Sequence, residues 1–369
     1  MKISVVVPTH NRSELLRRTL AGLLEQSAPA GSYEIVVVDD GSTDDTPQVI
    51  QESARLAAGR LRQLRQDAKG PAAARNLGVR EAKGRLILFT GDDCLPDRRL
   101  IEEHLKAHRE EGDVGVIGHI TWHPDLEVTP FMAFLEDGVQ FGFRKIKDPH
   151  DVSFWHCYSS NLSLSRRWLE KVGGFDEDFK HAAWEDIELG YRLHQRGLRL
   201  VYRPQAVTYH HHPTTLERYL VRQRIAGRSA ALFYRKHPEV AEDLGIAHAA
   251  RPIAGKRFYL VLMEYAFAVG VREGLLGEGA EVEDESAALW RDPGFAQSGR
   301  AWIHEVFGGD DPVRMELVRA RRDLEELRQL RQEYEAVTSR RLYRISEAVA
   351  KAGWRVLRAL GLGRRRRAG

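Results

Sequence analysis

Residues 34–56, EIVVVDDGSTDDTPQVIQESARL, set the architecture of the chain. The run Ile35–Val38 is β-branched throughout, as in a strand buried on both faces. Asp39, Asp40 and Gly41 end it in a turn. Thr46 or Asp45 then precedes Pro47, a residue suited to the first turn of a helix. Upstream, ISVVVPT (Ile3–Thr9) is a second such strand, closed by Pro8, and Ser13 can cap a helix carrying Leu15, Leu16, Leu20, Leu23 and Leu24 at helical spacing. Downstream come a short strand at Arg62–Arg65, a helix PAAARNLGVREAKG ended by Gly84, and the strand RLILFT. This alternation predicts an α/β fold, a mostly parallel sheet with helices on both faces. In such sheets ligands bind at the carboxyl ends of the strands, where Asp40 and Asp93 stand.

The rest of the chain narrows the field. Its 369 residues supply ample core, and 43% hydrophobic content is ordinary for a globular protein. Cys94 and Cys157 form no disulfide framework, which suits a reducing compartment. The N-terminus MKISVVVPTH turns polar too soon for a signal peptide. Phe258–Val271 is too short, and too interrupted by Glu264, to span a bilayer. Neither G-x-G-x-x-G nor G-x-x-x-x-G-K-[ST] follows the first strand, so dinucleotide and phosphate-loop chemistry lose their support.

Beyond residue 118 the pattern changes. Aromatic residues crowd 122–158, as core or as a sugar platform. WEDIELGYRLHQRG (184–197) reads as a helix ended by Gly197, and LRLVYRPQAVTYHHH (198–212) as a strand interrupted at Pro204. Residues 213–275 look helical and basic. Leucines at near-heptad spacing mark 313–340 as a candidate coiled coil and oligomer contact. Residues 348–367 are amphipathic and end in Arg364–Arg367, a pattern that suits an anionic membrane surface or a solvated tail.

Together VVVPTHNR, EIVVVDDGSTDDT, GPAAARNLGVREAKG, LILFTGDDC and GGFDEDF…WEDIELGYRLHQRG resemble the family 2 glycosyltransferases of GT-A fold, over about residues 2–212. The resemblance implies a nucleotide-sugar-binding half at 1–118 and an acceptor-binding, catalytic half at 119–245. A mainly helical extension follows at 246–369. It implies donor contacts from Pro8, Thr9, Asn11, Arg12, Asp40, Arg75, Asn76 and Asp92. Asp40 would read N3–H of uracil or thymine, and Asp92 would take ribose hydroxyls. Asn161, Trp184 and Glu185 would shape the acceptor site, whose outline resembles galactosyltransferase-like C-terminal regions. Asp186 would be the general base of an inverting displacement.

The departure from the family lies at Gly91, where D-x-D would have its first acid. Asp93 is then a lone carboxylate, and Mn²⁺ or Mg²⁺ needs more oxygen or nitrogen ligands. Some family members place a metal-binding His at the end of the strand after the catalytic acid. His210, with His212 second, fits that place, and imidazole favours Mn²⁺. Q-x-x-R-W of processive members is absent. The implied reaction moves sugar from a UDP- or dTDP-sugar to a glycan, lipid-linked or small-molecule hydroxyl, with cell-envelope polysaccharide assembly the expected setting. The expected location is cytoplasmic or peripheral on the inner membrane face, with no nucleic-acid partner. Sugar-1-phosphate nucleotidyltransferase and inactive scaffold are the rival readings; PTHNR, unlike a glycine-rich basic loop, disfavours the first, and intact Asp40, Asp93 and Asp186 disfavour the second.

Overall fold

The computed structural model describes residues 1–136 and 140–240. The predicted extension at 246–369, with its coiled coil and basic tail, lies outside the described residues.

Strands β1 (Ile3–Thr9), β2 (Tyr33–Asp40), β3 (Leu61–Gln66) and β4 (Leu86–Thr90) alternate with helices α1 (Ser13–Leu24), α2 (Thr46–Leu56) and α3 (Pro71–Glu81). A three-residue strand β5 (Cys94–Pro96) leads to α4 (Leu100–Glu111) and β6 (Gly115–Trp122). The short helix α5 (Pro130–Phe134) precedes β7 (Asn161–Ser165), α6 (Arg166–Val172), α7 (Glu185–Gln195), β8 (Leu200–His210) and α8 (Leu216–Lys236). Among the described residues, eight strands join one sheet in the order β3-β2-β1-β4-β7-β6-β8-β5.

Alternation along β1 explains why helices cover both faces. Ile3, Val5 and Val7 pack with Leu16, Leu20, Val49, Ile50, Leu100 and Ile101, drawn from α1, α2 and α4. Val6 points the other way, into a core with Ala72, Leu169, Leu189 and Leu193 from α3, α6 and α7. At Gly78 the helix α3 comes so close to β1 that a Cβ would lie 2.4 Å from Val6 Cγ1. Only glycine allows that approach.

Strands β3, β2, β1 and β4 are parallel, as predicted, but β7 runs antiparallel to both β4 and β6. Pro204 does not end β8. Its ladder with β6 skips from Gly118↔Arg203 to His119↔Val207, so Pro204–Ala206 form a bulge, with Pro204 and Gln205 exposed and Ala206 buried, and the strand continues to His210.

The order of β4 and β5 has a geometric consequence. Four strand spacings in a flat sheet amount to about 19 Å. Only residues 91–93 join the two strands, and four Cα steps reach at most about 15 Å. The sheet is therefore curled, with Asp92 and Asp93 bridging its mouth.

Candidate active site

The bridge 91–93 gathers five of the predicted residues, Thr9, Arg12, Asp92, Asp93 and His210. Thr9, at the end of β1, donates its hydroxyl to Asp92 Oδ2 at 2.8 Å, and Thr19 donates to the Asp92 carbonyl at 2.9 Å. Arg12 Nη1 reaches Asp93 Oδ2 at 2.5 Å and Asp92 Oδ1 at 3.2 Å. Burial and the Asp93 charge push Asp92 up to about 6. Burial acts the same way on Asp93, but His210, Arg12 and His212 outweigh it and hold that carboxyl well below the usual range. Gly91 is packed here: a Cβ would lie 2.8 Å from Asp93 Oδ1.

The histidines arrive on β8. Cys94 and His210 are cross-strand partners in the β5–β8 ladder, and His211 N donates to the Asp93 carbonyl at 2.8 Å. Strand alternation turns His210 and His212 to one side, where their rings stack at 5.6 Å, and sends His211 to the other, against His123. His210 Nε2 stands 3.5 Å from Asp93 Oδ2 and His212 Nδ1 3.8 Å from it. Trp122 and Phe141 flank the His210 ring. One ligand atom each from Asp93, Cys94 and His210 fall within 4.8 Å of one another. Cys94 is fully buried, and burial and Asp93 raise its thiol well above normal. Its position one residue after Asp93 was the signal that placed it there.

The fit to a cation rests on the donor set. Two ligands with bonds of about 2.0–2.2 Å to one ion sit roughly 3–4 Å apart. The Asp93–His210 separation of 3.5 Å lies in that range. A carboxylate and an imidazole, with water and phosphate oxygens to complete the shell, suit Mn²⁺.

The nucleotide side is built at the ends of β1 and β2. Pro8 pairs with Val38 in the parallel ladder, beside the acidic turn. Asp40 Oδ1 accepts from Gln66 Nε2 at 2.7 Å and Lys69 N at 2.8 Å, and Oδ2 accepts from Gly70 N at 2.8 Å. An ionised carboxylate has about four lone-pair positions, so one remains on Oδ2 for an N–H donor. Asp39 is held within the turn by Ser42 N and Arg65.

Asn11, expected on the donor, orders the acidic turn. Its backbone is left-handed (φ 52°), and its Oδ1 accepts from Thr43 N at 2.7 Å. Asn76 is likewise spent on structure. Its amide donates to the Phe175 carbonyl and Glu177 Oε1 and accepts from Phe175 N, clamping the turn at 174–177. Asn161, expected on the acceptor, is held within the fold. It is fully buried, donates to the carbonyls of His119 and Ala206, and accepts from His104 Nε2 at 2.8 Å. Every polar atom of its side chain is engaged inside the fold. Burial lowers the His104 and His108 rings beside it to about 3 and about 4.

The third acidic group opens α7. Trp184 holds a left-handed backbone (φ 71°), a strained state for so bulky a residue. It turns the chain so that Glu185 and Asp186 occupy the helix's first turn, where its dipole favours negative charge. Asp186 Oδ2 accepts from Ser159 N at 3.1 Å and Ser159 Oγ at 3.4 Å. No sequence signal marked Ser159. Trp184 meets Trp155 edge-on at 6.0 Å. Glu185 is turned inward onto Arg75 at 2.9 Å, so the two residues expected on acceptor and donor bind each other. Arg75 Nε and Glu185 Oε2 keep unused hydrogen-bonding capacity.

Comparison with known proteins agrees with this geometry. The sequence profile described as "Glycosyl transferase family 2" matches residues 4–173. Validoxylamine A glucosyltransferase of Streptomyces hygroscopicus subsp. jinggangensis (strain 5008) is 33% identical over 284 residues, 69% of this chain and 65% of its own length. Chondroitin synthase of Pasteurella multocida (strain Pm70) is 28% identical over 62% of this chain and 26% of its own. The chain thus spans less than two thirds of these relatives. Among solved structures, mannosyltransferase PcManGT from Pyrobaculum calidifontis, in complex with GDP-Man and Mn²⁺, shares the fold with a TM-score of 0.52, 22% identity and 82% of each chain covered. The chain belongs to the family 2 glycosyltransferases and has their GT-A fold.

Proposed function

We propose that this chain moves a sugar from a UDP- or dTDP-sugar to an acceptor hydroxyl, with inversion and with Mn²⁺ or Mg²⁺ as cofactor. The observation that carries this reading is the convergence of His210 on Asp93, at 3.5 Å. It restores a second ligand where Gly91 has removed an acid. A cation held there supplies Lewis-acid stabilisation of the diphosphate as it departs.

The chain's own groups do the rest. Asp40 offers its open lone pair to a pyrimidine N3–H, and the ends of β1 and β2 seat the nucleoside. Thr9 and Thr19 fix Asp92 beside the ribose. Ser159 orients Asp186, whose carboxylate accepts the proton of the attacking hydroxyl from the face opposite the diphosphate. Trp184, with Trp155 against it, offers an apolar edge to the acceptor ring. The donor side falls in residues 1–118 and the acceptor side in 119–245. The two halves share one sheet, since β6 crosses between them.

The acceptor is a glycan, lipid-linked sugar or small molecule. Relatives named for validoxylamine A and for chondroitin support both the small-molecule and glycan ends of that range. No described helix is long and apolar enough to cross a membrane. Docking on an anionic inner membrane face through the basic tail, during cell-envelope polysaccharide assembly, completes the proposal.

A panel of nucleotide sugars incubated with Mn²⁺, with and without chelator, tests it. Release of UDP or dTDP that stops on chelation supports the reading. Release of pyrophosphate from a sugar phosphate and a nucleoside triphosphate would instead favour a nucleotidyltransferase.

A further inference from the structure

Three nitrogens converge on one oxygen. Asp93 Oδ2 has Arg12 Nη1 at 2.5 Å, His210 Nε2 at 3.5 Å and His212 Nδ1 at 3.8 Å. The guanidinium is far the nearest, and it also touches Asp92 Oδ1 at 3.2 Å. Its position between two carboxylates is the position a divalent cation would use.

We propose that Arg12 is a displaceable stand-in for the metal: it holds Asp93 in the free protein and must release Oδ2 when a divalent cation arrives with the diphosphate. This rests on the metal reading above. Two cations drawn to the same oxygen repel. Arg12 is placed to move. It is the residue just before α1, its side chain is 39% exposed, and it enters the site from the rim. By contrast, Thr9 and Thr19 hold Asp92 from within the fold, so the acid pair stays in place when Arg12 leaves. The released guanidinium then has the donor's phosphate oxygens as its natural partner, by bidentate charge-assisted bonding.

Binding of metal and of nucleoside diphosphate is then coupled. Metal alone must displace Arg12 with nothing to receive it, whereas metal with diphosphate offers Arg12 a new anion. Linkage requires each to tighten the other. The arrangement keeps the buried acid pair neutralised between turnovers and disfavours metal without donor.

Mn²⁺ titration of the full chain, followed by electron paramagnetic resonance without nucleotide and then with UDP, tests the exchange. Arg12→Gln should bind Mn²⁺ alone about tenfold more tightly than the parent, and the extra tightening on adding UDP should shrink by a similar factor. Circular dichroism and melting in chelator check that the variant folds. If Arg12→Gln does not fold, Arg12→Met, which keeps the apolar stem and removes the charge, takes its place. Equal or weaker Mn²⁺ binding by the folded variant overturns the exchange while leaving the metal site standing. No Mn²⁺ binding by parent or variant, with or without UDP, overturns the metal reading and this proposal with it.

Discussion

Arg75 on α3 and Glu185 at the start of α7 close a buried ion pair at 2.9 Å, linking two helices on the same face of the sheet. The guanidinium also lies 5.3 Å from the centre of the Phe175 ring. The pair ties the donor half to the helix that carries Asp186. Its balance is unusual, because burial and the adjacent Asp186 charge push Glu185 up to about 7 despite Arg75.

That shift has a signed consequence for stability. A carboxyl raised in the folded state favours folding while protonated, so its contribution is full below about 4.5 and lost as pH rises through about 7. Thermal melting across that window should fall with pH in the parent chain and fall less in Glu185→Gln. An unchanged slope would remove Glu185 as the cause.

Asp186→Asn keeps the shape of the side chain and its contact with Ser159. Turnover should drop by about 10²–10⁴, with nucleotide-sugar binding by calorimetry near the parent value. Retained turnover would assign the base elsewhere.

The three histidines should separate by side. His210→Ala should weaken Mn²⁺-dependent donor binding by roughly tenfold or more, and His212→Ala by less, since it stands farther from Asp93. His211→Ala should have no such effect, because its ring packs on His123. Equal losses from all three would mean the metal is not read out by this strand.

Asn161→Ala removes the donor to two buried carbonyls and strands His104. The expected loss is about 2–4 kcal/mol of stability, seen as a lower melting temperature. The acceptor KM of the folded fraction should not move. A raised KM with normal stability would return Asn161 to the acceptor site.

Much of this was legible because it is local. Strand β1 and helices α2 and α3 announce themselves through β-branched runs, Pro47 and Pro71, and the acids at 40, 93 and 186 stand at element ends. What the chain could not announce is which way a polar side chain turns. Asn76, Asn161 and Glu185 carry the right chemistry at the right spacing, yet their partners lie 99, 45 and 110 residues away and face inward. The reverse direction of β7 was hidden for a similar reason: NLSLS alternates equally well either way. Ser159 enters the site through tertiary placement alone.

The curl of the sheet bears on how the site is assembled. Because Cys94 pairs with His210 and His211 bonds the Asp93 carbonyl, main-chain bonds alone bring the end of β8 against the acid bridge that follows β4, three strands away in the sheet. The placement of Asp93 beside His210 therefore follows from the main chain. A cation seated there would act as a clasp on a ring already closed. Chelation should consequently silence the chemistry while the hydrogen-exchange protection of β5 and β8 persists.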